Sequence, residues 1–216
     1  MSRNLISILG GVGIVLVVLA VGLLPRLEFL VGEEPAETHA GGLSVEIDAD
    51  TPIGGPFTLV NGAGETVTDS SFPGQYLLVY FGYTYCPDVC PTSLQTMADA
   101  LNALDPAIVE RIQPLFVTVD PERDRPADVA EYAGFFHPKL MGLTGTVEQV
   151  TAAARAYKVY FAKVEQPDSA APYLLDHSAI TYLMAPDGTL AAFFRHGEPA
   201  ADMAARLREI VGEGGS

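Results

Sequence analysis

A chain of 216 residues with 49% apolar side chains suits one folded domain with appendages rather than two full domains. Its formal net charge of −15 argues against a nucleic-acid binder and against a polybasic patch on a membrane, and leaves an acidic surface suited to a basic partner. Two cysteines are too few for a disulfide scaffold, so the ~160 residues beyond about position 55 must hold together by an ordinary core that buries about 70% of their extended surface.

Behind a short tail, residues 1–4, lies an uncharged run of twenty, residues 5–24, rich in Leu, Val, Ile and Gly. As a helix rising ~1.5 Å per residue it is long enough for a bilayer core of ~30 Å. A cleaved signal peptide is the rival reading. Val18-Leu19-Ala20 makes a poor cleavage site, and signal cores run about 7 to 15 residues, so the run reads as a single-pass anchor. Arg3 and the amino terminus precede it and Arg26 follows, which leans towards an N-terminus inside and a large domain outside the cytoplasm. Residues 25–54 are rich in Glu, Gly and Pro and read as a linker, with His39 a solvated linker histidine.

The folded domain is expected over residues 55–211, with 212–216 a frayed tail. Residues 57–60 and 65–68 flank Asn61-Gly62-Ala63-Gly64 and predict a β-hairpin. Residues 75–81 are continuously apolar, as in a central strand covered on both faces. A helix follows over residues 91–104, with Leu94, Met97, Ala98, Leu101 and Leu104 on one stripe. Residues 115–119 form a second buried-type strand that ends in the loop Asp120-Pro121-Glu122-Arg123-Asp124-Arg125-Pro126. Its acids and arginines either position a site or pair among themselves in solvent. A short helix over 128–136 comes next, and Thr146-Val147-Glu148-Gln149 matches a capping box that opens a helix to about Tyr157. Residues 157–164 read as extended and 165–173 as a loop. Leu174-Leu175-Asp176-His177-Ser178 then leads into a strand over 179–184, a turn at Pro186-Asp187-Gly188, a strand over 190–194 and a closing helix over 199–211. The order implies an α/β domain, a central mixed sheet with flanking helices and an N-terminal hairpin, which is the thioredoxin-like layout.

Both cysteines stand in Tyr85-Cys86-Pro87-Asp88-Val89-Cys90-Pro91, where strand gives way to helix. Pro91 fits the first helical position and pushes Cys90 towards an N-cap conformation. A helix mouth favours thiolate, the form that attacks disulfides and binds metals. The C-x-x-x-C spacing is one residue longer than the usual dithiol redox motif. It allows a redox disulfide, a soft metal ion held between two sulfurs, or a structural staple.

These cysteines, the Asp120-Pro121-Glu122-Arg123-Asp124 loop, and Asp176-His177-Ser178 ahead of Pro186-Asp187-Gly188 together resemble the Sco/SenC family of membrane-tethered copper-binding proteins. The resemblance covers roughly residues 55–211 and implies a copper site made by Cys86, Cys90 and His177. It implies delivery to the cytochrome c oxidase subunit that carries the CuA site, with a further periplasmic copper chaperone or a thioredoxin-like reductant as additional partner. Two thiolates and one imidazole suit Cu(I), and hold Cu(II) if the site adapts, whereas a closed zinc site would want a fourth ligand. Where thioredoxin-type reductases place a cis-proline, this chain has Asp176-His177-Ser178-Ala179. Asp176 is either an orienting carboxylate for His177 or a turn residue, and His137 and His196 read as structural or surface residues. Cys86 and Cys90 also serve the alternative function, a thiol–disulfide reductase acting on the oxidase's copper-site cysteines. A third reading, peroxide reduction with Thr84 beside Cys86, fits the spacing poorly.

Overall fold

The computed structural model describes residues 52–166 and 172–213. The expected tail, anchor, most of the linker with His39, and positions 214–216 lie outside the described residues. Among the described residues no helix is long and apolar enough to cross a membrane.

The domain is built on a five-stranded sheet in the order β5-β4-β3-β8-β9. At its centre, β3 (Tyr76–Gly82) and β4 (Ile112–Thr118) are buried at every position, as continuous apolar runs require of strands covered on both faces. They run parallel to each other and to β5 (Met141–Leu143), while β8 (Ile180–Met184) and β9 (Leu190–Arg195) run antiparallel to their neighbours. The expected N-terminal hairpin is β1 (Thr58–Val60) and β2 (Thr66–Thr68), tied to the end of β5 through reciprocal bonds between Val60 and Thr144. Ile53 is buried and Gly54 N–H bonds the carbonyl of Ala156, so packed chain begins ahead of position 55.

The flanking helices are α1 (Val89–Asn102), α2 (Pro106–Glu110), α3 (Pro126–Phe136), α4 (Val147–Ala156) and α5 (Ala200–Glu213). The apolar stripe of α1 is buried as its spacing predicts, with Leu94, Met97, Ala98 and Leu101 almost wholly covered and α5 packed alongside. At α4 the capping box is realised: Thr146 Oγ1 accepts the Gln149 N–H at 3.2 Å and Gln149 Oε1 accepts the Thr146 N–H at 2.9 Å. The short helix α2 has no counterpart in the sequence reading. The closing helix extends to Glu213, beyond the end expected for it. The turn between β8 and β9 needs Gly188 at φ +83°, with its N–H on the Ala185 carbonyl.

One departure matters for the site. Tyr173, read as the end of a loop, and residues 174–177, read as the lead into the next strand, form a strand of their own, β7 (Tyr173–His177), paired antiparallel with β6 (Phe161–Glu165) in a hairpin apart from the main sheet.

Close packing between α3 and β5 yields a first test. A Cβ at Gly142 would stand 2.3 Å from the backbone oxygen of Val129, which belongs to a helix and cannot yield. Gly142→Ala is expected to lower unfolding stability by about 3 kcal/mol, read as a lower urea midpoint with an unchanged slope.

Candidate metal centre

Strand register brings the sequence-distant groups to one edge of the sheet. Because β4 pairs in parallel with β3, Gly82 opposite Thr118, the loop after β4 lies beside the loop after β3 that carries the cysteines. Because β8 pairs antiparallel with β3, Tyr80 opposite Thr181, the residues just before β8 arrive at the same edge. His177, the last residue of β7, is among them.

The ligand atoms of Cys86, Cys90 and His177 all lie within 4.8 Å of one another. Cys90 Sγ is 3.2 Å from His177 Nε2, and the Cys90 N–H points to Cys86 Sγ at 3.4 Å. Both cysteines are free; Cys86 is half-buried and Cys90 fully buried. His177 Nδ1 lies 3.2 Å from the Ser178 carbonyl, a contact in which Nδ1 carries the proton, and this turns the lone pair of a neutral ring at Nε2 towards the sulfurs. Tyr80 and Tyr83 wall the imidazole edge-on, with centroids at 6.2 and 5.8 Å.

The two thiols are shifted in opposite directions. A hydrogen bond from Cys90, with lesser help from His177 and from the N–H groups of Asp88 and Cys90, pulls the Cys86 pKa down to about 3 against the cost of burial. Sharing that proton and being buried push the Cys90 thiol up. Together these donors form a soft, low-coordinate set that can hold a metal ion. The free pair is likewise ready for thiol exchange, with the thiolate on the accessible side.

The helix begins earlier than expected. Val89 is its first residue and Asp88 its N-cap, so Cys90 sits inside the first turn and Pro91 one position further on. Proline is tolerated there because no N–H of the first turn has an intrahelical partner, and the cost to Cys90 is offset by the bond its own N–H makes to Cys86. Asp176 is exposed, and the partner of His177 Nδ1 is the Ser178 carbonyl rather than that carboxylate. His137 Nδ1 accepts the Lys139 N–H, and His196 Nδ1 pairs with Ser93 Oγ at 3.0 Å; neither joins the cysteines. Thr84 Oγ1 donates to Asp124, which removes it from the role a peroxide-reducing site would need.

The acidic loop after β4 divides: Glu122 and Arg125 lie exposed and pair with Lys163 and Asp128, while Asp120 and Asp124 turn inward and brace both arms of the centre. Asp124, fully buried, accepts from Thr84 N–H at 3.0 Å, Thr84 Oγ1 at 2.5 Å and Thr118 Oγ1 at 2.6 Å, which pins the start of the cysteine loop. Burial raises its pKa despite those donors. Asp120, also buried, pairs with Arg123 and accepts the Tyr173 hydroxyl at 2.9 Å. Arg123 Nη1 donates to the Tyr173 carbonyl at 3.0 Å, and its guanidinium lies 3.7 Å from the ring centre of Tyr173 and 4.9 Å from that of Tyr85. One cation thus joins the hairpin bearing His177 to the loop bearing Cys86. The Tyr83 hydroxyl adds a bond by accepting the Leu175 N–H at 3.2 Å.

Residues 45–212 match the model of the SCO1/SenC family. The chain belongs to the SCO1/SenC family. Among its relatives, it is 44% identical over 161 residues to the human mitochondrial SCO1 homolog, covering 72% of this chain and 53% of that protein. It is 37% identical over 194 residues to a SCO2-like protein of Rickettsia felis, covering 90% of this chain and 91% of that one. The solved structure of Arabidopsis thaliana ScoI with copper bound matches with a TM-score of 0.68 at 38% identity, covering 74% of this chain and 99% of that chain. This SCO1/SenC chain spans about half the length of the first curated relatives it matches, 53% of the human protein and 42% of an Arabidopsis thaliana SCO1 homolog.

Two measurements check the site. Asp124→Asn replaces one of the two accepting oxygens by an NH2, which leaves at least one of the three buried donors without its acceptor, and is expected to cost about 3 kcal/mol of stability in urea unfolding. For Cys86, a depressed pKa means thiolate throughout the neutral range. Its alkylation by iodoacetamide, followed by mass spectrometry, should therefore be nearly constant in rate from about pH 5 to about pH 8, where an ordinary thiol accelerates steeply.

Proposed function

We propose that this chain is a membrane-anchored copper chaperone that binds copper through Cys86, Cys90 and His177 and passes it to cytochrome c oxidase, at the CuA site of the receiving subunit. The observation that carries this reading is the convergence of two free sulfurs and one imidazole nitrogen within 4.8 Å, in a family with a copper-bound solved member. Cys86 supplies a ready thiolate, Cys90 a second sulfur on release of its proton, and His177 Nε2 the nitrogen donor. Transfer by ligand exchange then needs only that an acceptor sulfur approach the exposed side of Cys86. The apolar run at residues 5–24 supports an anchor in the inner membrane with the domain on the periplasmic side, where donor and oxidase search for each other in two dimensions.

The asymmetry of the thiols favours a second reading, reduction of the oxidase's own copper-site cysteines. The Cys86 thiolate attacks a target disulfide and releases one target thiolate. Cys90 then gives up its proton and attacks Cys86, closing a Cys86–Cys90 disulfide and freeing the second target thiol, so two electrons pass from this pair to the target.

Copper titration of the purified full chain against a competing chelator separates the two. Uptake of one Cu(I) per chain is expected, and it should vanish in Cys86→Ala and in Cys90→Ala. Loss of the imidazole in His177→Ala should weaken Cu(II) binding most, while disulfide reduction by that variant persists. Wild-type copper uptake that ignores all three substitutions would remove the chaperone reading.

A further inference from the structure

Tyr80 lies on the central strand with no exposure, and its hydroxyl has no hydrogen-bond partner among the described residues. A buried hydroxyl left unpaired is costly, and a phenylalanine would fill the same space without that cost. Neighbouring tyrosines are placed differently: the Tyr76 hydroxyl reaches the Ile210 carbonyl, and the Tyr83 hydroxyl accepts the Leu175 N–H. Tyr132 carries the other unpaired phenol, but its ring packs between Phe116 and Phe136.

The surroundings of the Tyr80 hydroxyl say what it faces. A Cβ built on Gly82 would meet Cys90 Sγ at 2.7 Å and Tyr80 Cε1 at 3.0 Å, so the ring edge next to the hydroxyl and the sulfur border the same small space. Cys90 and Ser93 are the polar groups beside the hydroxyl. Ser93 Oγ pairs with His196 Nδ1 at 3.0 Å and makes no hydrogen bond to the phenol, so the sulfur is the neighbour whose acceptor strength a bound metal ion would change. The same ring stands edge-on to His177 at 82° with centroids 6.2 Å apart, so Tyr80 neighbours two of the three donors from a buried strand.

We propose that Tyr80 is a positioning residue of the metal centre: its hydroxyl is reserved as a hydrogen-bond donor to Cys90 Sγ, a bond made when that sulfur becomes a thiolate holding a soft cation. A thiol sulfur is a weak acceptor and a thiolate a strong one, so the phenol is unpaired in the metal-free pair and satisfied in the loaded one. Burial keeps the phenol protonated and therefore a donor. The absence of a side chain at Gly82 keeps the space between ring and sulfur open. This inference rests on the assignment of Cys86, Cys90 and His177 as copper ligands.

Tyr80→Phe in the full chain tests it. The metal-free variant should unfold at the wild-type temperature or higher, because it loses only an unsatisfied group. Its Cu(I) affinity against a competing chelator should fall roughly tenfold, the share of one charge-assisted hydrogen bond. Its sulfur-to-copper(II) absorption band should move to lower energy, since a thiolate stripped of a donor gives up charge more readily. In the wild type, the Tyr80 ¹³Cζ resonance should shift when diamagnetic Cu(I) is added, a readout independent of any variant. Wild-type affinity with an unmoved band in Tyr80→Phe, or an unmoved Cζ resonance, would overturn the role of Tyr80 while leaving the copper assignment intact. A wild-type chain that takes up no copper would overturn both.

Discussion

Antiparallel pairing of β8 against β3 is the constraint from which the centre follows. The cysteines leave the C-terminal end of β3, so any residue entering β8 must reach that same end. A parallel neighbour there would have delivered its N-terminal residues to the opposite edge, some 20 Å away for strands of this length. Two residues eighty-seven positions apart in the chain, Cys90 and His177, are thereby closed into a contact of 3.2 Å.

Register brings the groups near; the loop after β4 holds them. Its two buried carboxylates divide the work. Asp124 gathers three donors from the strand end and from Thr84, and Asp120 anchors Arg123 against Tyr173. A hairpin that stands apart from the main sheet has few other ties, so the position of His177 depends strongly on this cation and on the tyrosine rings around it.

Much of this was legible beforehand. The uninterrupted apolar strands, the stripe of α1, the capping box at Thr146 and the turn at Gly188 each carry a local signal that tertiary packing did not override. The Cys86, Cys90 and His177 set came from motif resemblance, since nothing in local sequence says that His177 folds back onto the cysteines. The extended reading of 157–164 anticipates β6, but its pairing with β7 was obscured because the exposed charged residues Lys163, Glu165 and Asp176 interrupt any core pattern, and the start of β4 because Pro114 argues against a central strand. The acidic loop had two equal readings in sequence, and the structure divides it between them, with Asp120 and Asp124 buried beneath the centre and Glu122 and Arg125 paired in solvent. Tyr80 was absorbed into an apolar run. Its one signal was a hydroxyl in a strand covered on both faces, followed two positions later by a glycine.

The two sulfurs sit at different depths, with Cys86 at the mouth and Cys90 behind it under the tyrosine rings. Traffic through the centre is therefore polar: a visiting thiol or ion meets the outer sulfur first and gains the inner one only through it. An ion leaving such a site would retrace that order, with the outer sulfur the first donor within reach of an incoming ligand and the inner sulfur and the imidazole the last. Depth alone imposes an itinerary on whatever passes, without any moving part.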